Sequence, residues 1–172
     1  MIVIKLYFGR YVMNKKLSFL LFVFILSSNS YADGVFSVGH KNFSFNVGSG
    51  NAYGNRYTIL GVNVNYFVKD NLSLGAGYTG WFGDDPKINK VSIPITYYLP
   101  LGDTIRPYLG GVYRHTFISS LEDYNSYGGR VGVAIANGGS FLRVGWVHEY
   151  HDNGDDDNKS EGYPEISGGY SF

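Results

Sequence analysis

The chain lacks cysteine, carries little charge and has no long apolar run, and each feature narrows the classes of protein to which it can belong. Without cysteine it can form neither a disulfide framework nor a thiolate nucleophile or metal ligand. Only 16% of the 172 residues are charged and 17% are aromatic, which excludes a disordered chain. Glycine (24) and tyrosine (16) are abundant instead, and the length suits one domain.

The residues near the N-terminus have the pattern of a cleaved secretion signal. Lys15 and Lys16 precede the apolar run Leu17–Leu26, and the small-residue motif Ser30-Tyr31-Ala32 follows it. A charged segment, a short apolar segment and an A-x-A-like site predict export, with cleavage before Asp33. A membrane-spanning helix is the alternative interpretation, but such a helix needs about 20 apolar residues.

The predicted organisation is therefore a signal peptide over residues 1–32 and one mature domain over residues 33–172. Met13 directly precedes the charged segment and is an alternative start of the chain. Removing residues 1–32 removes four of the 14 basic residues and no acidic one, which leaves 10 basic and 14 acidic residues and a formal charge of −4. Because no basic cluster remains, nucleic acid is not an expected partner.

Short segments of alternating apolar and polar residues fill the mature domain, and it contains no convincing amphipathic helix. Most segments are near the ~9–11 residues that a tilted strand needs to cross a bilayer. The pattern predicts an all-β fold, an eight-stranded antiparallel up-and-down transmembrane β-barrel. The predicted strands are Val35–Val47, Arg56–Val68, Leu72–Phe82, Lys90–Leu99, Ile105–Phe117, Tyr127–Ala136, Ser140–Tyr150 and Tyr163–Phe172.

The connections between these strands alternate in length. Outer-membrane barrels have short periplasmic turns and longer outer loops, so the alternation places both termini in the periplasm. The short connections are Lys69–Asn71, Pro100–Thr104 and Asn137–Gly139. The longer, more polar ones are Gly48–Asn55, Gly83–Asn89, Ile118–Ser126 and His151–Gly162.

Arginine placement predicts which face of each strand points into the barrel, because an arginine at the lipid midplane costs about 2–4 kcal/mol. Aliphatic residues occupy the opposite, outward faces of the strands. Outward aromatic residues fall at the two membrane edges, because an apolar ring with a polar tip suits the boundary between lipid and water. The inward charged set is Arg106, Arg114, Arg130, Arg143, Glu149 and Glu165. The aromatic girdles are Tyr78, Tyr113, Tyr127 and Tyr150 at the outer edge, and Tyr66, Tyr97, Tyr170 and Phe172 at the periplasmic edge.

The first strand does not follow a single alternation. Phe36 and Val38 have one parity, and Phe43 and Phe45 have the other. A β-bulge near His40-Lys41-Asn42 would reconcile them.

Three segments resemble the small outer-membrane β-barrel domain family, a group similar to the OmpA transmembrane domain and the OmpW-like barrels. Pro94–Gly102 and Arg106–Gly111 look like a turn and its flanking strands, and Ile166–Phe172 looks like the terminal sorting signal. The resemblance covers the mature domain and implies a Gram-negative cell envelope. The partners it implies are outer-membrane lipid, lipopolysaccharide and the barrel assembly machinery, which in that family reads a C-terminal strand such as the one ending in Phe172. Unlike in OmpA, no peptidoglycan-binding domain is expected after Phe172.

Four features invite a chemical interpretation. The inward charged set would either gate a narrow pore or plug the lumen, and the second is favoured because side chains can fill an eight-stranded barrel. The stretch His148–His151 lies where related lipid A deacylases carry a Ser-His-Glu arrangement, but Tyr150 replaces the serine nucleophile. The acidic run Asp152–Asn158 is a solvated loop, a Ca²⁺ site or a cation bridge to lipopolysaccharide. The glycine pairs Gly110-Gly111, Gly128-Gly129 and Gly168-Gly169 let strands bend and make room for lumenal side chains.

No catalytic, cofactor-binding or metal-ligating residue is predicted, and no cofactor is expected. The leading hypothesis is a non-enzymatic outer-membrane barrel that supports the envelope or interacts through its outer loops. A narrow, porin-like pore or a lateral route for small apolar molecules is the alternative, and a lipid A modifying enzyme is the second alternative.

Overall fold

The computed structural model describes residues 34–152 and 160–172, so the predicted signal peptide and most of the acidic run lie outside the described residues. Eight strands account for nearly all of the described chain. They are β1 (Lys41–Ala52), β2 (Asn55–Lys69), β3 (Leu72–Phe82), β4 (Ile88–Tyr98), β5 (Ile105–Ile118), β6 (Tyr124–Asn137), β7 (Ser140–Asp152) and β8 (Ser160–Ser171).

Each strand pairs antiparallel with its neighbours in sequence, and β1 pairs with β8 to close the barrel. The predicted fold class, an eight-stranded up-and-down antiparallel barrel, is confirmed. Over residues 34–152 and 160–172 there is no helix long and apolar enough to cross a membrane.

The predicted inward and outward faces are also confirmed. On β7, Phe141, Arg143, Val147 and Glu149 are buried in the barrel, whereas Val144, Trp146, His148 and Tyr150 are exposed on its outside. All eight residues of the two predicted aromatic girdles are exposed on the outer surface. The barrel therefore has an inverted distribution, with charges inside and aliphatic and aromatic side chains outside, as expected when lipid surrounds it.

The prediction for the start of the first strand is wrong. Residues 34–40 form a turn that folds over the periplasmic end of the lumen, and β1 starts only at Lys41. Phe36 is buried against the rings of Phe67 and Tyr98 in this end. The change of parity thus marks a chain reversal rather than a β-bulge, and β1 pairs with β2 in unbroken register.

The first outer loop is also shorter than predicted. Ala52 of β1 faces Asn55 of β2, so only Tyr53 and Gly54 join the two strands. Both have positive φ, 50° and 79°, which is the type I′ geometry that suits a two-residue hairpin. Polar and glycine residues at 48–51 continue the ladder instead of leaving it, because every one of them has a partner on β2.

Apolar clusters lie at both ends of the lumen, with the polar residues between them. The periplasmic cluster is Val35, Phe36, Phe67, Tyr98, Tyr108, Ala134, Ala136 and Phe141. The outer cluster is Tyr57, Ile88 and Ile118, with Ala52, Trp81 and Tyr124 packed against it. Apart from Arg106, which lies against the periplasmic cluster, the inward charged side chains therefore lie between two apolar clusters.

Candidate functional site

The charged side chains in the middle of the lumen form separate clusters that join different strands. In the first cluster, Arg114 Nη1 lies 2.6 Å from Glu149 Oε1 and donates to the Tyr163 hydroxyl at 2.5 Å. The Tyr163 hydroxyl donates to the same carboxylate oxygen at 2.6 Å, and Ser126 donates to the other at 3.3 Å. Both oxygens of this buried carboxylate therefore have partners, as a buried charge requires.

The second cluster lies one layer of inward-facing side chains closer to the periplasmic end of the barrel. Arg130 Nη2 pairs with Glu165 Oε1, and the Tyr108 hydroxyl donates to the same oxygen at 3.4 Å. The Arg130 guanidinium also lies over the Tyr108 ring, 5.6 Å from its centroid. Gly145 makes this arrangement possible, because a Cβ there would overlap the Tyr108 hydroxyl.

The third cluster is built around Arg143, and its partners are all neutral. Arg143 donates from Nε to Ser167 Oγ at 3.1 Å, from Nη1 to the Tyr98 hydroxyl at 3.3 Å and from Nη2 to Ser44 Oγ at 3.0 Å. Its residue exposure is 2%, and no carboxylate among the described residues forms an ion pair with it. Arg143 is thus a buried cation held by three neutral hydroxyl groups, with its guanidinium 5.3 Å from the centroid of the Phe141 ring.

Lys90 is an inward cation that the sequence analysis missed. It lies on the inward face of β4, and its Nζ is 4.7 Å from the centroid of the Trp81 ring. Within residues 34–152 and 160–172 it forms no ion pair with a carboxylate. Its even-numbered position, shared with inward Ser92, was the available signal, because residues two apart on a strand share a face.

Arg106, the remaining member of the inward set, lies apart from the others at the periplasmic end. It donates to the Gly102 carbonyl at 2.8 Å and to Asn71 Oδ1, and its guanidinium lies 4.5 Å from the centroid of the Phe36 ring. Asp103 is 3.9 Å away and largely exposed. Arg106 therefore fastens the N-terminal turn over the lumen rather than lining a passage.

A cavity of about 330 Å³ occupies the outer half of the lumen; we call it the lumen cavity. Four cations line it: Lys90, Arg114, Arg130 and Arg143. Two carboxylates, Glu161 and Glu165, also line it, together with neutral amides and hydroxyls that include Asn63, Asn65, Thr79 and Ser92. One remaining side is formed by residues of β1 and β8 that face out of the barrel, Val47, Ser49, Pro164 and Ile166.

The lumen cavity reaches outward-facing residues because β1 and β8 separate. The two strands pair only between Asn42–Phe45 and Gly168–Ser171, at the periplasmic end. Beyond Phe45 and Gly168 the strands continue to Ala52 and Ser160 with partners only on β2 and β7. We call this unpaired outer half of the β1–β8 junction the seam.

Three solved structures share features with this architecture. The N-terminal β-barrel domain of Pseudomonas aeruginosa OprF is 18% identical and matches with a TM-score of 0.62, covering 79% of this chain and 98% of that one. The chain has the fold of the small outer-membrane β-barrels. Neisserial surface protein A, NspA, is 14% identical with a TM-score of 0.53, covering 77% of this chain and 94% of that one.

The outer membrane protein OprG from Pseudomonas aeruginosa aligns less well, with a TM-score of 0.42 at 17% identity over 79% of this chain and 97% of that one. No family model and no curated protein matches the sequence. The comparisons therefore identify the fold of this barrel.

The other sequence features do not come together as a site. His148 faces out of the barrel against Tyr150, with ring centroids 5.0 Å apart, whereas Glu149 is buried inside. The histidine and the acid are thus on opposite sides of the β7 backbone. Among the described residues there is no group of three histidine or acidic side chains that could hold a metal ion, and the acidic run beyond Asp152 lies outside them.

Proposed function

We propose that this chain is a non-enzymatic outer-membrane protein that stabilises the cell envelope and presents its outer turns to the surroundings. The observation that supports the location is the continuous apolar outer surface of the barrel. Exposed side chains such as Leu60, Val133 and Ile166 cover it between two aromatic girdles. Water is a poor solvent for such a surface, whereas lipid is a good one.

The periplasmic cluster supports a structural role over a conducting one. Phe36, Phe67, Tyr98, Tyr108 and Phe141 close the lower lumen and are each at most 5% exposed. Above them, two Arg–Glu pairs occupy the lumen, one joining β5 to β7 and the other joining β6 to β8. An eight-stranded barrel is narrow enough for such side chains to fill it, so no continuous water path is expected.

The outward face of β7 supports the non-enzymatic part of the proposal. His148 has the aromatic ring of Tyr150 beside it, where an acyl-transfer mechanism needs a hydroxyl nucleophile activated by the imidazole. Its neighbour Glu149 is engaged inside the barrel by Arg114 and Tyr163. Mass spectra of lipid A from cells with and without the protein should be identical, and a missing acyl chain would contradict the proposal.

The C-terminal strand supports a proposed partner, the barrel assembly machinery. Ile166 and Tyr170 are exposed on the outer face of β8, and Phe172, which directly follows the strand, is exposed as well. We expect Phe172→Ala to lower the amount of folded barrel in cells while leaving the stability of the refolded protein unchanged. Equal amounts of wild type and variant in the outer-membrane fraction would contradict a role in recognition.

Two measurements test the proposed function directly. Electrophoresis of the outer-membrane fraction, boiled and unboiled, should show a heat-dependent shift in mobility, since folded barrels resist detergent. Purified protein in planar bilayers should then show no current steps. A soluble, unshifted protein would overturn the location, and reproducible conductance would overturn the closed lumen.

The seam favours a second candidate function, lateral passage of small apolar molecules between the lumen and the membrane. Unpaired backbone groups facing lipid cost several kcal/mol each, and are tolerated where they line a cavity. The seam meets this condition, because Gly48, Gly50 and Pro164 line the lumen cavity. Joining β1 and β8 with an engineered disulfide across the seam should then block uptake without altering the heat-dependent shift.

A further inference from the structure

We propose that the lumen cavity binds the anionic headgroup of a single-chain amphiphile, a fatty-acid carboxylate, whose alkyl chain leaves through the seam into the outer half of the membrane. This inference rests on the proposed membrane location. It goes beyond the lateral route because it names the chemistry of the occupant and the residues that would hold each part of it.

The charge of the lumen cavity indicates an anion. Of its four cations, Arg114 and Arg130 pair with carboxylates, whereas Lys90 and Arg143 contact only an aromatic ring and neutral hydroxyls among the described residues. The third acidic side chain, Glu161, is 60% exposed at the outer mouth, 3.9 Å from His151. Lys90, which is half-buried, and Arg143, which is buried, are therefore available to a bound anion, which would supply the negative charge that neither has in an ion pair.

The wall of the lumen cavity also contains buried polar atoms that have no hydrogen-bond partner. Asn65 is 1% exposed and lines the lumen cavity, yet neither its Oδ1 nor its Nδ2 has a hydrogen-bond partner. Arg130 Nε also lacks one. Buried polar groups are nearly always satisfied, and Nδ2 and Nε are both donors. These atoms are themselves buried in the wall, so a carboxylate in the cavity would accept from them once the Asn65 and Arg130 side chains turn toward it.

The open side of the cavity indicates an apolar chain attached to that anion. Val47 of β1 and Ile166 of β8 flank the seam, and both are exposed to the membrane, 64% and 58% respectively. A free anion would make no use of these apolar surfaces, and a purely apolar molecule would give Lys90 and Arg143 no anionic partner. The volume of about 330 Å³ is at the lower end of the range for small-molecule sites, which suits a headgroup and the first part of a chain.

The two tryptophans of the chain provide a direct readout. Trp81 lines the lumen cavity beside Lys90, whereas Trp146 is exposed on the lipid-facing side of β7. In the Trp146→Phe variant the remaining tryptophan, Trp81, therefore reports on the cavity. In the Trp81→Phe variant the remaining tryptophan, Trp146, reports on the lipid. The probe is 2-bromododecanoate, whose bromine quenches tryptophan from a position next to the carboxylate, and the barrel is held in nanodiscs of neutral phosphatidylcholine.

We expect saturable quenching in Trp146→Phe and only gradual, unsaturable quenching in Trp81→Phe. Dodecanoate should reverse the saturable quenching, and equal concentrations of acetate or dodecan-1-ol should not. Adding Lys90→Gln to Trp146→Phe should raise the apparent Kd roughly tenfold, the effect of losing one hydrogen bond to a charged group. Lys87→Gln removes the same charge outside the cavity and should leave the Kd unchanged.

Several results would overturn the proposal. Unsaturable quenching in both single-tryptophan proteins would indicate partition into lipid, and equal competition by acetate would indicate a free-anion site. Unchanged affinity in both Lys90→Gln and Arg143→Gln would remove the headgroup site. A heat-dependent mobility shift in the same sample separates the proposed membrane location from the proposed ligand site. If the barrel is folded but shows no saturable quenching, the ligand site is contradicted and the membrane location is not.

Discussion

Arg143 of β7 and Ser44 of β1 are 99 positions apart in the chain, and the Arg143 Nη2 atom donates to Ser44 Oγ at 3.0 Å across the lumen. The same guanidinium donates to Ser167 of β8. Ser44 pairs with Gly169 near the last point at which β1 and β8 are joined. Arg143 therefore fastens the periplasmic end of the seam from inside the barrel.

Replacing Arg143 by alanine should destabilise the barrel by about 2–4 kcal/mol, because charge-assisted hydrogen bonds to three strands are lost and a buried space remains. Urea titration in lipid vesicles would measure the free energy of unfolding. Lys41→Ala, at an exposed position at the start of β1, is the matched control and should change it by less than about 0.5 kcal/mol. Equal effects of the two variants would show that Arg143 does not fasten the seam.

The Arg114–Glu149 pair should show strong coupling in a double-mutant cycle. Glu149→Gln leaves the Arg114 charge in the lumen without its carboxylate, and breaking a buried pair in this way costs about 3–5 kcal/mol. The double variant Arg114→Gln/Glu149→Gln should recover much of that loss, since neither charge then remains. Additive effects, measured in the same urea titration, would contradict the pairing.

Glu161→Gln is the matched control for the removal of a carboxylate from this region. Its side chain is 60% exposed at the outer mouth, and its nearest partner is His151 at 3.9 Å. Exposed ion pairs contribute about 0–1 kcal/mol, so the free energy of unfolding should hardly change.

Much of this barrel could be predicted from the sequence, because the faces of a strand follow from a period of two residues. Arg130 and Arg143 identified the inward faces of β6 and β7 correctly, since each is a buried charge that alternates with apolar outward residues. The period also indicated the inward position of Lys90, although its lack of an acidic partner depends on which strands lie opposite.

The parts that could not be predicted depend on contacts between distant segments. The parity change after Val38 was compatible with a bulge or a reversal, and the choice is made by the pocket that Phe67 and Tyr98 offer to Phe36. The seam likewise cannot be predicted from the sequence of any single strand. It arises because β1 stays paired with β2 to its tip while β8 stays paired with β7.

Phe36→Ala should destabilise the barrel by about 3–5 kcal/mol, the usual range for truncating a buried phenylalanine. The ring is 2% exposed, packs against two aromatic residues and lies under the Arg106 guanidinium. Val38→Ala removes an apolar side chain from the same turn, but one that is 55% exposed, and should have little effect. Similar urea midpoints for both variants would show that the turn over the lumen does not contribute to stability.

Two adjacent glycines of β8 provide the sharpest test of how the barrel closes. A Cβ on Gly169 would overlap the Phe43 carbonyl oxygen and lie 2.7 Å from Ser44 Cα, both of which belong to the β1 backbone. A Cβ on Gly168 would meet nothing nearer than 3.8 Å, an ordinary contact. The close approach of β1 and β8 at their paired end therefore requires glycine at 169 and not at 168.

Gly169→Ala should push β1 away from β8 where the two strands still pair, and we expect a loss of about 1–3 kcal/mol in the free energy of unfolding, the usual range for overpacking. The folded fraction, measured as the heat-dependent band in electrophoresis, should fall with it. Gly168→Ala adds the same methyl group one residue away and should behave like the wild type. If both variants fold equally well, β1 and β8 can move apart without loss, and the paired end of the junction is not what closes the barrel.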